Sequence, residues 1–374
     1  MSGLMKKLIF LSFFGIAQFS FSETVFIKYG WQIFRNAGDG RSLALGKALT
    51  AGGKGIPASL WNPANLVANT KKSFTYVHQS RFSGVVNSDL ISFPIHKFTS
   101  KPFGFILIHE EVPGIPDTRY ALLDENGDGK LNGNERLDSK NVTEFSQHQW
   151  GVYLNRSWVI TKSPSMGSVL SQKSVLLGDV IFGIGVKGLI HQLGSHTGTG
   201  FGLDAGLRTL FWKRVQAGIV IQDVLTSWLV WDNGTKEIVT PRVSVGISGN
   251  YDLPLIPVTL GLMADFIVET EGHSTSEDSH FGSFGKKFRV GMEWTIKENI
   301  QIRFGRNETG IISTGLGLVW SDFEISYALQ TAVYVKREDF VFELETSSLG
   351  NSHLLSFSID PKLIMSKLSP PLDN

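Results

Sequence analysis

An antiparallel, 14-stranded transmembrane β-barrel with a short N-terminal helical plug segment, all-β in class, is the fold this sequence predicts, on three observations. From Lys72 onward apolar and polar residues alternate with a period of two, the mark of a sheet whose two faces meet different surroundings. The alternating segments run to about 10 residues, near the length a tilted strand needs to cross a bilayer. One face carries Gly, Arg, Asp and Glu and the other Leu, Ile, Val and Phe, as a filled lumen and a lipid-facing wall require.

Residues 1–22 read as a secretory signal peptide. Lys6 and Lys7 form its positive start, Leu8 to about Phe21 its apolar run, and Ser20 and Ser22 the small residues before a cut ahead of Glu23. The run is too short, and too broken by Ser and Gln, for a spanning helix. Nowhere later do some 18 apolar residues follow one another, so a helical membrane protein is excluded. The absence of cysteine removes disulfides, thiolate metal sites and thiol nucleophiles. A formal net charge of +1 with 18% charged residues argues against a nucleic-acid partner and against disorder.

Residues 23–70 break the alternation and form the plug segment. Arg41 to Thr50 has the apolar spacing of a short helix, which "AGGKG" ends because glycine is a poor helix former. In "WNPANL", Asn62 suits an N-cap and Pro63 the first helical position. Placed before a barrel, this irregular and partly apolar segment fits either inside the lumen or packed beneath it.

Residues 71–360 form the barrel. "RVSVGISG" sets Val243, Val245 and Ile247 against Arg242, Ser244, Gly246 and Ser248, and "FRVGMEW" sets Phe288, Val290, Met292 and Trp294 against Arg289, Gly291 and Glu293. Fourteen such segments lie between Lys72 and Ile359, an even number as bacterial single-chain barrels have. Their connections sort by parity. Those at 212–214, 295–299 and 320–322 are tight and share the side expected to face the periplasm, whereas 112–143, 224–238, 269–282 and 334–349 are long and face outward. The polar stretch 157–176 is the exception, long and on the inner side. Residues 361–374 form a C-terminal tail. Trp228, Trp231, Trp294 and Trp320 lie near strand ends, where an aromatic girdle or core packing would place them. Asp204, Arg208, Arg289, Glu293 and Arg303 read as lumen charges that pair with one another.

The segment "RSLALGKALTAGGKGIPASLWNPANLV", with Asn62, Pro63 and Ala64 on its Asn-Pro-Ala motif, resembles the N-terminal signature of the FadL and PorV/PorQ outer-membrane barrels. "IQDVLTSWLVW" (221–231), the run 288–329 and "LGNSHLLSFSI" (349–359) resemble later strands of the same proteins. Lys47 departs from the pattern, which more often has a small residue there. The resemblance implies a 14-stranded outer-membrane barrel with a lumen segment. It implies, first, a PorV/PorQ-type role in type IX secretion, with secreted protein cargo or other secretion components as partners. The alternative is a FadL-like passage for hydrophobic small molecules. Both place the chain in outer-membrane lipid.

"DENGDGKLNGNE" (124–135) matches the twelve-residue calcium loop. Asp124, Asn126 and Asp128 supply side-chain oxygens, Lys130 its carbonyl, Asn132 a direct or water-mediated contact and Glu135 a bidentate carboxylate. By strand parity the loop is outer, so calcium is expected to order a surface connection. No catalytic constellation is expected. The nine histidines show no metal-ligand spacing, and "GDGRS" and "GLGL" lack the Lys-Ser/Thr pair of a phosphate loop.

Overall fold

The computed structural model describes residues 31–68, 74–95, 103–123, 135–161, 177–211, 214–224, 226–269, 279–281, 284–331 and 350–360. Fourteen wall strands close on themselves. They are β1 (Phe74–Arg81), β2 (Val86–Ile95), β3 (Phe103–Asp117), β4 (Thr143–Thr161), β5 (Leu177–Leu193), β6 (His196–Phe211), β7 (Val215–Gln222), β8 (Arg242–Asp252), β9 (Val258–Glu269), β10 (Phe284–Ile296), β11 (Ile300–Arg306), β12 (Ile312–Val319), β13 (Phe323–Thr331) and β14 (Ser352–Ile359). Each pairs antiparallel with its neighbours in sequence, and β1 pairs with β14 from Phe74↔Ile359 to Ser80↔His353. That last ladder removes both edges, so no row of unpaired backbone groups faces lipid.

The burial pattern inverts that of a soluble sheet. In β8 the buried set is Arg242, Ser244, Gly246 and Ser248, while Val245 and Ile247 are 47% and 54% exposed. Leu262, Phe288, Val290, Leu316, Leu355 and Phe357 likewise point outward. An apolar exterior on this scale has lipid as its solvent. Trp294 packs edge-on to Phe304 and Trp320 stacks on Phe323 near the short-turn side, and Trp228 also faces out. Trp231 does not. It packs against the lumen cluster, lies tilted against the His191 ring with centres 4.9 Å apart, and donates its indole N–H to Glu237 at 2.6 Å.

The outer ends are more ordered than the sequence suggests. Of the expected connection 224–238, Ser227–Trp231 pairs with β6 and with Lys236–Val239, so these residues continue the wall outward. The junction is irregular. The ladder to β6 pairs Ile221 with Ala205 and resumes with Trp228 opposite Phe201, and Asp223 and Thr226 take φ of 58° and 67°. The outer connection between β5 and β6 is a two-residue turn at 194–195, so outer connections are not uniformly long. On the inner side β4 runs on to Thr161, which shortens the expected polar stretch 157–176, and residues 162–176 lie outside the described set.

Two short helices, α1 (Gln32–Asn36) and α2 (Gly40–Ala44), and 3₁₀ turns at Pro57–Leu60 and Pro63–Ala68 precede β1. They sit inside the barrel, buried along nearly their whole length. The expected helix from Arg41 to Thr50 ends at Ala44, because Gly46 and Lys47 adopt positive φ.

Candidate functional site: the lumen plug and the apolar cluster beside it

Local chemistry shapes the plug before the wall touches it. The carboxylate of Asp39 accepts the Ser42 amide at 2.8 Å and so caps α2. Lys47 Nζ donates to the Arg35 carbonyl at 2.8 Å, near the end of α1, and lies 5.6 Å from the centre of the Trp61 ring. A small residue at Lys47 would leave that carbonyl without this partner. Asn62 acts twice. Its Oδ1 accepts the Ala64 amide at 3.0 Å, and its Nδ2 donates to the Thr50 carbonyl at 2.7 Å and to the wall carbonyl of Leu207 at 3.1 Å. Pro63 follows at the first position of its 3₁₀ turn. The next asparagine, Asn65, spans Leu49 and Ala58 with its Nδ2 and accepts from Arg208 on its Oδ1.

The wall receives this segment on a band of glycines. A Cβ at Gly183 would fall on the backbone of Pro63 and Ala64, one at Gly206 on the Asn62 side chain, and one at Gly218 on the Thr50 carbonyl. Gly291 and Gly305 meet the backbone at Leu45 and Gly46, and Gly315 meets Ala44. These inward positions lie on β5, β6, β7, β10, β11 and β12, so the plug backbone rests directly on wall backbone around much of the lumen.

Charges lock the same contact. Glu293 accepts a paired grip from Arg41 of the plug, at 2.9 and 3.2 Å, and a third bond from Arg303 of the wall at 2.8 Å. Asp265 accepts both the amide and the hydroxyl of Thr50, at 3.1 and 2.8 Å. Arg289 is held by Glu308 at 2.7 and 2.6 Å and lies 5.1 Å from the Trp61 ring centre. The expected lumen charges are therefore inside, but they do not simply pair with one another. Glu293 and Asp265 hold the plug, Arg208 donates to Gly53 and Asn65 of the plug, and Asp204 pairs with Lys187 at 2.8 Å. Buried charges persist where each has such partners.

On the outer side of the plug the lumen is lined differently. Trp31, Ile33 and Phe34 pack with Leu90, Ile106, Ile108, Leu189, Leu229 and Val239 into one buried apolar cluster, Trp31 stacking on Phe34 at 5.5 Å. Beside it the indole N–H of Trp31, Oε1 of Gln149 and both ring nitrogens of His191 have no hydrogen-bond partner. Gln149 and His191 are direct neighbours across β4 and β5. An apolar wall with convergent unsatisfied polar atoms suits a molecule with an apolar body and a polar end. Farther out, Asp232 accepts the Thr197 amide at 2.8 Å and lies 3.0 Å from His196 Nδ1, bonds that lower its pKa and tie two outer hairpins together.

Of the calcium-loop residues, Asp124, Asn126, Asp128, Lys130 and Asn132 lie outside the described residues, and Glu135 is described at the start of the return toward β4. Leu122–Leu123 and Arg136–Leu137 pair as a small hairpin at the base of that segment.

The fold compares with solved outer-membrane barrels. The chain resembles the Pseudomonas putida toluene transporter TodX with a TM-score of 0.51 and 11% identity, covering 90% of this chain and 100% of that one. A Pseudomonas aeruginosa FadL homologue follows with a TM-score of 0.40 and 10% identity over 86% and 98% of the two chains. The Acinetobacter baumannii outer membrane protein Omp33 gives 0.37 and 7% over 77% and 98%. No protein-family model and no curated protein matches the chain. The likeness to TodX is one of fold: this is a barrel of the outer-membrane type.

Proposed function

We propose that this barrel resides in the outer membrane and passes hydrophobic small molecules across it, binding them at the apolar cluster between the plug and the outer mouth. The observation that carries the reading is the apolar cluster on the outer side of the plug. Trp31, Phe34, Leu189 and Leu229 pack together as an apolar cluster inside a lumen whose other inward residues are mainly polar, with Gln149 and His191 offering unused polar atoms beside it. The fold shared with a toluene transporter supports it. The break in the ladder to β6 between Ile221 and Trp228 adds a place where the wall is already interrupted. A PorV/PorQ-type role in handling secreted protein stands second, supported by the long outer connection between β3 and β4.

Native mass spectrometry of the full chain, extracted gently from its own outer membrane, separates the two. A bound lipophile in the wild-type protein that is lost in Leu229→Arg, with the barrel still folded, is the expected result. A co-purifying secreted protein with an empty lumen would overturn the transport reading.

A further inference from the structure

The outward face of β3 and β4 carries an arrangement that the transport reading does not use. Alternation puts Phe105, Leu107, His109 and Glu111 on the outside of β3, and His148, Trp150, Val152 and Leu154 on the outside of β4. The register sets Leu107 beside Val152, His109 beside Trp150, and Glu111 beside His148. Moving outward, the surface passes from aliphatic to aromatic to ionisable within a few residues, so the last pair stands where the lipid-facing wall gives way to water. Pairing of β3 with β4 across the long outer connection brings three donor groups together. Nδ1 of His148 lies 3.4 Å from Nε2 of His109 and 3.9 Å from Oε2 of Glu111, and one ligand atom from each residue lies within 4.8 Å of the other two.

The rings are also held. His109 stacks on Trp150 with centroids 4.0 Å apart, and His109 and His148 lie nearly parallel, 9° apart in plane. Stacking fixes ring orientation, which a histidine pair on an open surface otherwise lacks. Two imidazoles bound tetrahedrally at about 2.0–2.1 Å place their nitrogens roughly 3.4 Å apart, the separation seen here. The donor set is two nitrogens and one carboxylate oxygen. It suits a borderline transition cation better than calcium or magnesium, which take oxygen shells.

We propose that His109, Glu111 and His148 form a binding site for a divalent transition cation, with zinc as its test ion, on the outer surface of the barrel. The three protein ligands leave a fourth position facing outward, open to water or to a donor from outside. Bound metal would clip β3 to β4 below the register shift between Val112 and Ile115, at the root of the long outer connection. The sequence hides this site because its ligands are a His-x-Glu pair and a histidine on another strand. The spacing 109, 111 and 148 has no meaning until the ladder forms.

The test uses the full-length, untagged barrel in detergent, saturated with calcium so that the 124–135 segment does not compete. Zinc titration by calorimetry is expected to show one site of micromolar affinity. His109→Ala, His148→Ala and Glu111→Gln are each expected to weaken it at least tenfold, while His78→Ala and His196→Ala leave it unchanged. Copper(II) bound to the wild-type protein is expected to show two-nitrogen coupling in its electron paramagnetic resonance spectrum, reduced to one in either histidine variant. Heat-modifiable gel mobility verifies that each variant is folded. Zinc binding weaker than millimolar, or equal binding by wild type and the His109→Ala/His148→Ala double variant, would overturn the proposal.

Discussion

The two faces of one strand follow opposite rules, and β8 shows both. Its inward side chains include Arg242, 1% exposed and held by Glu269 and Glu308, whereas Ile247, five residues along, is 54% exposed. In a water-soluble sheet the positions would be reversed. The comparison teaches that the wall is stabilised from outside by lipid and from inside by partners. On the lipid face any apolar residue of fitting size serves, because lipid presents no specific contact. On the lumen face the charged residues answer to named neighbours on the plug or across the wall, while Gln149 and His191 keep unpaired polar atoms.

The sharpest way to break the contrast is to add bulk inside, where the same change outside is harmless. Gly305→Leu places a side chain on the Leu45–Gly46 backbone, so the plug is expected to leave its seat. Single-channel recording in planar bilayers should then show persistent ionic conductance absent from wild type. Val245→Leu, on the lipid face of β8, should change nothing in that recording. Removing the shared carboxylate comes next. Glu293→Gln leaves Arg41 of the plug without its ion-pair partner, and loss of one partner of a buried pair costs about 3–5 kcal/mol. Hydrogen exchange should rise across residues 40–52 before the strands respond. Protection unchanged there would count against Glu293 as the anchor.

Reversing polarity outside tests the other half. Ile247→Arg puts a charge on the lipid face, with an expected cost of about 2–4 kcal/mol near the midplane, read as a shift in the urea midpoint in lipid vesicles. Asn62→Ala removes a cap and a wall contact, and about 1–2 kcal/mol is expected from the cap alone. Proteolysis of the 31–68 segment would report it. Calcium should have the smallest effect. If Asp124 to Glu135 bind it, millimolar calcium should slow proteolysis of the outer connection and Glu135→Gln should abolish that protection, with the barrel midpoint moving little.

The wall was legible in the sequence because its two solvents write a period of two, and the tight inner turns at 297–299 and 320–322 kept the count in phase. The lumen was less so. Alternation marks Arg289 and Glu293 as inward but is silent on whom they meet, since Glu308 and Arg41 lie on other segments. The glycines of the seat read as poor strand formers in one dimension. They make sense only as the places where a second backbone comes close. Trp231 misled because an indole near a strand end fits a girdle or a core equally well, and its partner Glu237 sits across a hairpin that local pattern reads as loop. The Asn62-Pro63-Ala64 turn was visible as a cap, but its bond to Leu207 was not.

The plug is made first and touched last. Residues 31–68 precede every wall strand, yet the Gly40 amide donates to Ser356 of β14, the final strand, at 3.1 Å. α2 also contacts β11, β12 and β13. A finished wall whose lumen glycines fit backbone against backbone offers no room to thread a folded segment in afterward. The expected order of biogenesis is that the N-terminal segment sits within the growing sheet before the seam between β1 and β14 closes around it. The long sequence separation of these contacts makes closure slow. A chain that loses its first 70 residues should thus falter at the seam, as a failure of assembly before any failure of transport.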